Sequence, residues 1–495
     1  MQKPELSMSL LTPERNHREF PNYPPPEMGY YSQAHICQCL TRLSTLKRNS
    51  IVTFSGHRKK TGHEFVRSVL SLAGGLLKLG VRNGDVVAIS AFNSDWYLEW
   101  LLAVSFVGGV VAPLNYRWSF EEARSAMLTV EPVMLVTDEC CSFWNLEIRN
   151  NAIASLRWNV SLVSNDLDGR KNSPLSQLLP LLTMEMVKEH CERRLPSTYS
   201  WAPDGSAIIC FTSGTTGRPK GVTISHSALI VQSLAKIAIV GYGEDDVYLH
   251  TAPLCHIGGL SSAMAMLMVG ARHIFTPKFD AKFALQAIEQ HHVTSLITVP
   301  AIMADLISII RKNKDWTTKE SVKKILNGGG GLSRELIKDV TNIFPRAKLL
   351  SAYGMTETCS SLTFLNLWDP TLKTTDLLLF YTEKLNSIDH PQGVCVGKPA
   401  PHIELKISTD GTSQAGRILT RGPHVMLGYW GESQEKKSNA AVEGWLDTGD
   451  IGSINESGNL WLVGRSNGRI KSGGENVYPE EVKTILLHIP ALLLL

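Results

Sequence analysis

Phe65, Val69, Leu72 and Leu76 recur at steps of four and three, the period of one helix face, behind Thr61 and Glu64 at capping-box spacing. This predicts a helix ending near Gly80. Asn83-Gly84-Asp85 then turns the chain into a strand at Val86-Val87-Ala88-Ile89, followed by a helix over Trp96 to Val107 and a buried strand at Val110-Val111-Ala112. The succession returns downstream. A strand from Val293 to Val299 is stopped by Pro300; a helix over Ile302 to Ile310, a strand at Lys324-Ile325-Leu326, a helix over Leu332 to Ile343 and a strand at Lys348-Leu349-Leu350 follow. Such alternation predicts an α/β fold with parallel sheets covered by helices. From Gly416 onward, short runs such as Arg417-Ile418-Leu419-Thr420 and Leu460-Trp461-Leu462-Val463 between glycine turns predict a smaller antiparallel β region.

In open sheets of this kind ligands bind beyond the C-terminal ends of the strands, which directs attention to the loops after Phe211, Leu326 and Leu350. The first, Thr212-Ser213-Gly214-Thr215-Thr216-Gly217-Arg218-Pro219-Lys220-Gly221, has the makings of a phosphate loop: glycines let amides converge on an oxyanion, and hydroxyls and Lys220 add donors and charge. It is not a Walker A loop, since Arg218 and Pro219 separate Gly217 from Lys220 and no hydroxyl follows the lysine. A flexible surface loop is the bland alternative. The second, Asn327-Gly328-Gly329-Gly330-Gly331, offers bare backbone to a planar ring or is simply a turn. The third, Ser351-Ala352-Tyr353-Gly354-Met355-Thr356-Glu357, offers an aromatic face, a hydroxyl and a carboxylate for a hard cation, against the alternatives of a core tyrosine and a solvated glutamate.

Further on, Asp447-Thr448-Gly449-Asp450 supplies a carboxylate able to accept two ribose hydroxyls, or an Asx turn, and Gly464-Arg465 adds a fork-shaped donor. His256, in Pro253-Leu254-Cys255-His256-Ile257-Gly258-Gly259, lines a pocket or fills a core.

Composition narrows the partners. The 495 residues fit roughly three compact units. A net charge of +3 with 19% charged residues gives no reason to expect a nucleic-acid partner. Nine scattered cysteines fit a reducing compartment, and no window is long and apolar enough to be read as a transmembrane segment. The first thirty residues, with Pro21, Pro24, Pro25 and Pro26 among Glu5, Glu14, Glu19 and Glu27, have no apolar signal block, and their acids count against a simple plastid transit peptide. Residues 1–31 are expected to be a disordered extension.

Taken jointly, the loop ending in Lys220, Tyr353-Gly354-x-Thr356-Glu357, Thr448-Gly449-Asp450 and Gly464-Arg465 occur in the order found in the adenylate-forming, acyl-activating enzymes, which the chain resembles over about residues 35 to 485. Ala91-Phe92-Asn93-Ser94-Asp95 and His256-Ile257-Gly258-Gly259-Leu260-Ser261-Ser262 are most similar to the plant 2-succinylbenzoate-CoA ligase branch, which serves phylloquinone synthesis. The resemblance implies an adenylation domain over residues 32–466 with a hinge at Asn467. It implies that Thr212, Ser213, Gly214, Thr215, Thr216, Gly217, Arg218, Pro219 and Lys220 hold the ATP phosphates, that Gly328, Gly329, Gly330, Tyr353 and Gly354 receive adenine, and that Thr356 takes a phosphate oxygen. Glu357 is the implied Mg²⁺ ligand, Asp450 and Arg465 hold the ribose, and His256 lines the acyl and coenzyme A path. Lys471, Gly473 and Gly474 match the segment that serves thioester formation.

The implied reaction joins 2-succinylbenzoate to coenzyme A through an acyl-adenylate, in the chloroplast, with peroxisome and cytoplasm as alternatives. Residues 467–495 hold the hinge and only the start of a small C-terminal domain, so turnover is expected to be impaired. A fatty or cinnamic acid as substrate, and a nucleotide-binding protein without catalysis, are the alternatives. Nothing in the sequence predicts the oligomeric state.

Overall fold

The computed structural model describes residues 34–162, 181–189, 195, 199–212, 219–312, 320–372, 393–409, 414–432, 441–442, 444–466, 470–472 and 475–477. The expected extension over residues 1–31, Ser213 to Arg218, Asn467, Gly473, Gly474 and the chain from Tyr478 onward lie outside these.

The capped helix forms over Gly62–Lys78, with the Thr61 hydroxyl accepting from the Glu64 amide and the Glu64 carboxylate accepting from the Thr61 amide. The strand that follows, Val86–Ser90, is buried at every position because neighbours flank it on both edges and helices cover it. Around it an eight-stranded sheet runs in the order Gly428–Tyr429, Lys220–Ser225, Ser206–Thr212, Val110–Pro113, Val86–Ser90, Met134–Thr137, Trp158–Ser161, Leu181–Thr183. Its pairs are parallel except for the first two, which are antiparallel.

A second sheet of fourteen strands contains the expected parallel run Ser295–Thr298, Lys324–Asn327 and Lys348–Met355. The antiparallel strands after residue 393 are not a separate sheet: Ser360–Trp368 pairs with both Lys348–Met355 and Val394–Pro399 and carries the ladder across to Leu460–Arg465 and Trp445–Ile454. Asp450 and Arg465 therefore belong to the same continuous surface as Tyr353.

Two helices lie between the sheets. Ile257–Val269 has no charged residue and is apolar apart from the buried Ser261 and Ser262, as a helix with cover all round must largely be. Leu260, Met264 and Leu267 pack with Ile89, Val111 and Ile208 of the eight-stranded sheet. Ala265 and Met266, with Ala235 of helix His226–Val240, pack against Tyr248, Ile297, Leu326 and Leu350 of the larger one.

Gly354 fixes a close approach in this sheet. A Cβ there would lie 1.7 Å from the Ser360 carbonyl oxygen, inside the antiparallel pair. Gly354→Ala therefore forces backbone to move, at a cost of roughly 1–3 kcal/mol or more. The expected outcome in differential scanning calorimetry is a melting temperature lowered by roughly 1–3 °C; an unchanged transition would contradict the geometry.

Candidate functional site

The polar loop after Phe211 is the tip of a hairpin. Ser206–Thr212 pairs antiparallel with Lys220–Ser225, and Thr212 stands opposite Lys220. Of the loop residues the sequence singles out, Thr212, Pro219 and Lys220 are described, whereas Ser213, Gly214, Thr215, Thr216, Gly217 and Arg218 lie outside the described residues. The Lys220 side chain is exposed, with Nζ 5.0 Å from the centroid of the Tyr429 ring. Tyr429 is placed by a two-residue strand on the edge of Lys220–Ser225 and by the Trp430 amide, which donates to the Gly221 carbonyl at 2.7 Å.

Tyr429 also reaches across to the other sheet. Its hydroxyl donates to Glu357 Oε1 at 2.9 Å, so Lys220, Tyr429 and Glu357 form one contiguous polar chain between the two sheets. Glu357 is 7% exposed, in the short turn Thr356–Thr358 that closes strand Lys348–Met355; its carbonyl accepts from the Met426 amide. Burial first, then the Glu357 carboxylate, push the Tyr429 phenol above its ordinary range, which keeps it protonated and donating.

No group of three or more His, Cys, Asp or Glu side chains suited to a metal occurs among the described residues. A single, nearly buried carboxylate, connected to Lys220 through Tyr429, fits Mg²⁺, which is ordinarily held by one or two carboxylates together with substrate phosphates. Thr356, partly exposed, stands next to it.

The second cluster is built on register. Lys324–Asn327 lies parallel to Lys348–Met355 with Asn327 beside Ser351, so the glycine run leaves the sheet next to Tyr353. Asn327 Nδ2 donates to the Gly330 carbonyl at 2.7 Å and closes that turn, in which Gly329 has φ +68°. Tyr353 and Gly354 lie inside the strand, which extends to Met355, and not in a loop beyond Leu350. The antiparallel partner Ser360–Trp368 carries the ladder past the expected end.

The Tyr353 hydroxyl donates to Asp450 Oδ2 at 2.6 Å, and Arg465 Nε lies 3.2 Å from Asp450 Oδ1, the two residues being register partners on adjacent strands. Asp450 is 4% exposed, whereas Arg465 is largely in water. The Asx turn is made by Asp447, whose Oδ1 accepts from the Gly449 amide at 2.9 Å, which leaves Asp450 inside the strand facing Tyr353. Burial and then the Asp450 carboxylate raise the Tyr353 phenol, so it too remains a donor.

His256 precedes helix Ile257–Val269 and is exposed, not a core residue. Desolvation by its surroundings, then the Arg117 cation, lower its pKa and favour the neutral imidazole. The loop before it is held by Asn93, whose Nδ2 donates to the Ala252 carbonyl at 3.0 Å and whose Oδ1 accepts from the Leu254 amide at 2.8 Å. Lys471 lies in a separate two-stranded hairpin, opposite Asn476, with Gly473 and Gly474 between the strands and outside the described residues.

Tyr429 is the site residue that the sequence did not point to. Its contact with Glu357 spans 72 residues, a range over which no local pattern in the sequence signals a partner. Tyr429→Phe removes a donor to a buried carboxylate, a loss of about 1.5–3 kcal/mol. The expected outcome is a roughly tenfold or greater fall in kcat/KM with an unchanged fold by circular dichroism; unaltered kinetics would show that the contact does not orient Glu357.

Residues 43–430 match the AMP-binding enzyme family. A 2-succinylbenzoate–CoA ligase of Arabidopsis thaliana, described as chloroplastic/peroxisomal, is 61% identical over 472 residues, covering 94% of this chain and 82% of that protein. Among solved structures, the o-succinylbenzoate CoA synthetase of Bacillus subtilis in complex with the acyl-adenylate intermediate superposes with a TM-score of 0.72 at 28% identity, covering 92% of this chain and 83% of that one. The same enzyme with ATP and magnesium superposes with a TM-score of 0.72 at 26% identity, covering 92% and 84%. The expected α/β architecture is thus shared with enzymes of that type, and the chain belongs to the AMP-binding enzyme family.

Proposed function

We propose that this chain is an ATP-dependent acid–CoA ligase that joins 2-succinylbenzoate to coenzyme A through an acyl-adenylate. The observation that carries the reading is the meeting of Lys220, Glu357, Tyr353, Asp450 and Arg465, drawn from both sheets, in two polar clusters joined by the stretch from Tyr353 to Glu357.

In the first step a substrate carboxylate oxygen attacks the α-phosphorus of ATP; the bond from that phosphorus to the bridging oxygen breaks and diphosphate leaves. Little covalent work falls to the protein, so positioning and charge stabilisation carry the rate. The hairpin from Thr212 to Lys220 cradles the phosphates, with Thr356 beside them. Gly328, Gly329, Gly330, Tyr353 and Gly354 bracket the adenine, and Asp450 with Arg465 holds the ribose. Mg²⁺, held by Glu357 and the phosphates, would supply neutralising charge. In the second step the coenzyme A thiolate adds to the acyl carbonyl and the carbon–oxygen bond to AMP breaks. His256 lines that path, and Lys471, Gly473 and Gly474 serve the thioester step.

Residues 32–466 form the adenylation domain, and the hinge and small domain begin at 467. The site of action is the plastid or the peroxisome, in keeping with the Arabidopsis relative. The test is a panel of acids with AMP and diphosphate release as readouts. 2-Succinylbenzoate is expected to exceed fatty and cinnamic acids; preference for one of those would reassign the substrate, and ATP binding without diphosphate release from any acid would leave a nucleotide-binding protein.

A further inference from the structure

Helix His226–Val240 carries Gln232 and Lys236 four residues apart, on one face. Gln232 Nε2 donates to the carbonyls of Thr358 at 3.0 Å and Ser361 at 2.8 Å, fastening the helix to the turn that follows Glu357. One turn on, Lys236 is fully buried, with Nζ 2.5 Å from Ser261 Oγ, 3.1 Å from Ser262 Oγ and 3.2 Å from Ser360 Oγ. Ser261 and Ser262 belong to the helix behind His256, and Ser360 to the strand after Glu357, so the amine stands between the phosphate side of the site and the acyl path.

Among the described residues no carboxylate pairs with Lys236. The titratable group that faces it is Cys359, whose thiol burial pushes up to about 12; the buried Tyr248 beyond it has its phenol raised by burial as well, so both are neutral. Burial, opposed only in part by the neighbouring Cys359, takes the Lys236 amine down to about 7. Lysines are almost never fully buried unless paired, and an unpaired charge there is costly. Of the three serines, Ser360 alone is partly exposed, and it has φ +100°, an unusual conformation for a residue with a side chain; such outliers gather at ligand sites.

We propose that Lys236, with Ser261, Ser262 and Ser360, receives the free carboxylate of a dicarboxylic substrate, the one not joined to AMP. This rests on the reading of 2-succinylbenzoate as the acid. That molecule carries a ring carboxylate and a chain carboxylate, and activation consumes one. The other enters the pocket as an anion and meets the one buried cation that lacks a carboxylate partner among the described residues. A monoacid gains nothing there.

The test measures ATP–diphosphate exchange for 2-succinylbenzoate, 4-oxo-4-phenylbutanoate and 2-butanoylbenzoate, with the unaltered protein and with Lys236→Met. The unaltered protein is expected to prefer the diacid in kcat/KM by on the order of 10²-fold over whichever monoacid it activates. Lys236→Met erases that preference by slowing the diacid while sparing the monoacid. Equal losses for both acids would make Lys236 a purely structural residue and overturn the assignment, as would a preference that survives the substitution. Should the unaltered protein exchange other acids but not 2-succinylbenzoate, the substrate reading itself falls, and this inference with it.

A measurement on the unaltered protein covers the case of a variant that does not fold. At pH 8, above the amine's value in the free protein, diacid binding restores the ammonium and takes up a proton, seen by calorimetry in buffers of different ionisation enthalpy. Monoacid binding takes up none. Equal uptake for both would overturn the assignment.

Discussion

Glu357→Gln is expected to lower kcat/KM for diphosphate release by about 10²–10³-fold, the usual effect of deleting one charge-stabilising group at a transition state. The substitution keeps the shape of the side chain and leaves an amide oxygen to accept from Tyr429, whose hydroxyl lies 2.9 Å from the present carboxylate. What it removes is the charge, in a place 7% exposed where water screens little. The defect should therefore appear as a weakened Mg²⁺ dependence and not as a loss of folding. A variant within threefold of the parent at saturating Mg²⁺ would remove Glu357 from the metal site.

The second large effect is expected at Asp450. Asp450→Ala takes away the acceptor for the Tyr353 hydroxyl and the partner of Arg465, and with them the proposed ribose contact. Hydrogen bonds to a charged group are worth about 1.5–3 kcal/mol each, so loss of two predicts ATP binding weaker by roughly 10²-fold or more. Arg465→Ala should cost far less, since the guanidinium is largely in water and exposed ion pairs contribute about 0–1 kcal/mol. Calorimetric ATP titration separates the two. Equal losses at both positions would mean that the guanidinium, and not the buried carboxylate, anchors the nucleotide.

How much of this was legible in the chain follows from the range of the interactions. The helix over Gly62–Lys78 and the strand Val86–Ser90 were readable because a capping box, an apolar period and an Asn-Gly turn act within a few residues. The pairing of Lys324–Asn327 with Lys348–Met355 followed from the βα alternation. The extension of the latter strand through Tyr353 and Gly354 did not, because it depends on an antiparallel partner that arrives later and on a backbone approach only glycine permits.

Among site residues, Lys220, Glu357, Tyr353, Asp450 and Arg465 were found by residue type and order. Their grouping was not, because it runs through Tyr429 and through the ladder that joins the antiparallel strands to the large sheet. Lys236 left no signal. In an apolar helix a lone lysine is most simply read as reaching for solvent, and its serines come from two other segments.

The central claim is that separated strand ends from both sheets surround one nucleotide. A crystal structure with a non-hydrolysable ATP analogue and Mg²⁺ tests it most directly. The expected density places the ribose hydroxyls on Asp450, the base beside Tyr353 and the glycine run, the phosphates under the hairpin that ends in Lys220, and the metal on Glu357. A nucleotide bound with Lys220, Tyr353 and Asp450 facing unrelated cavities would contradict it.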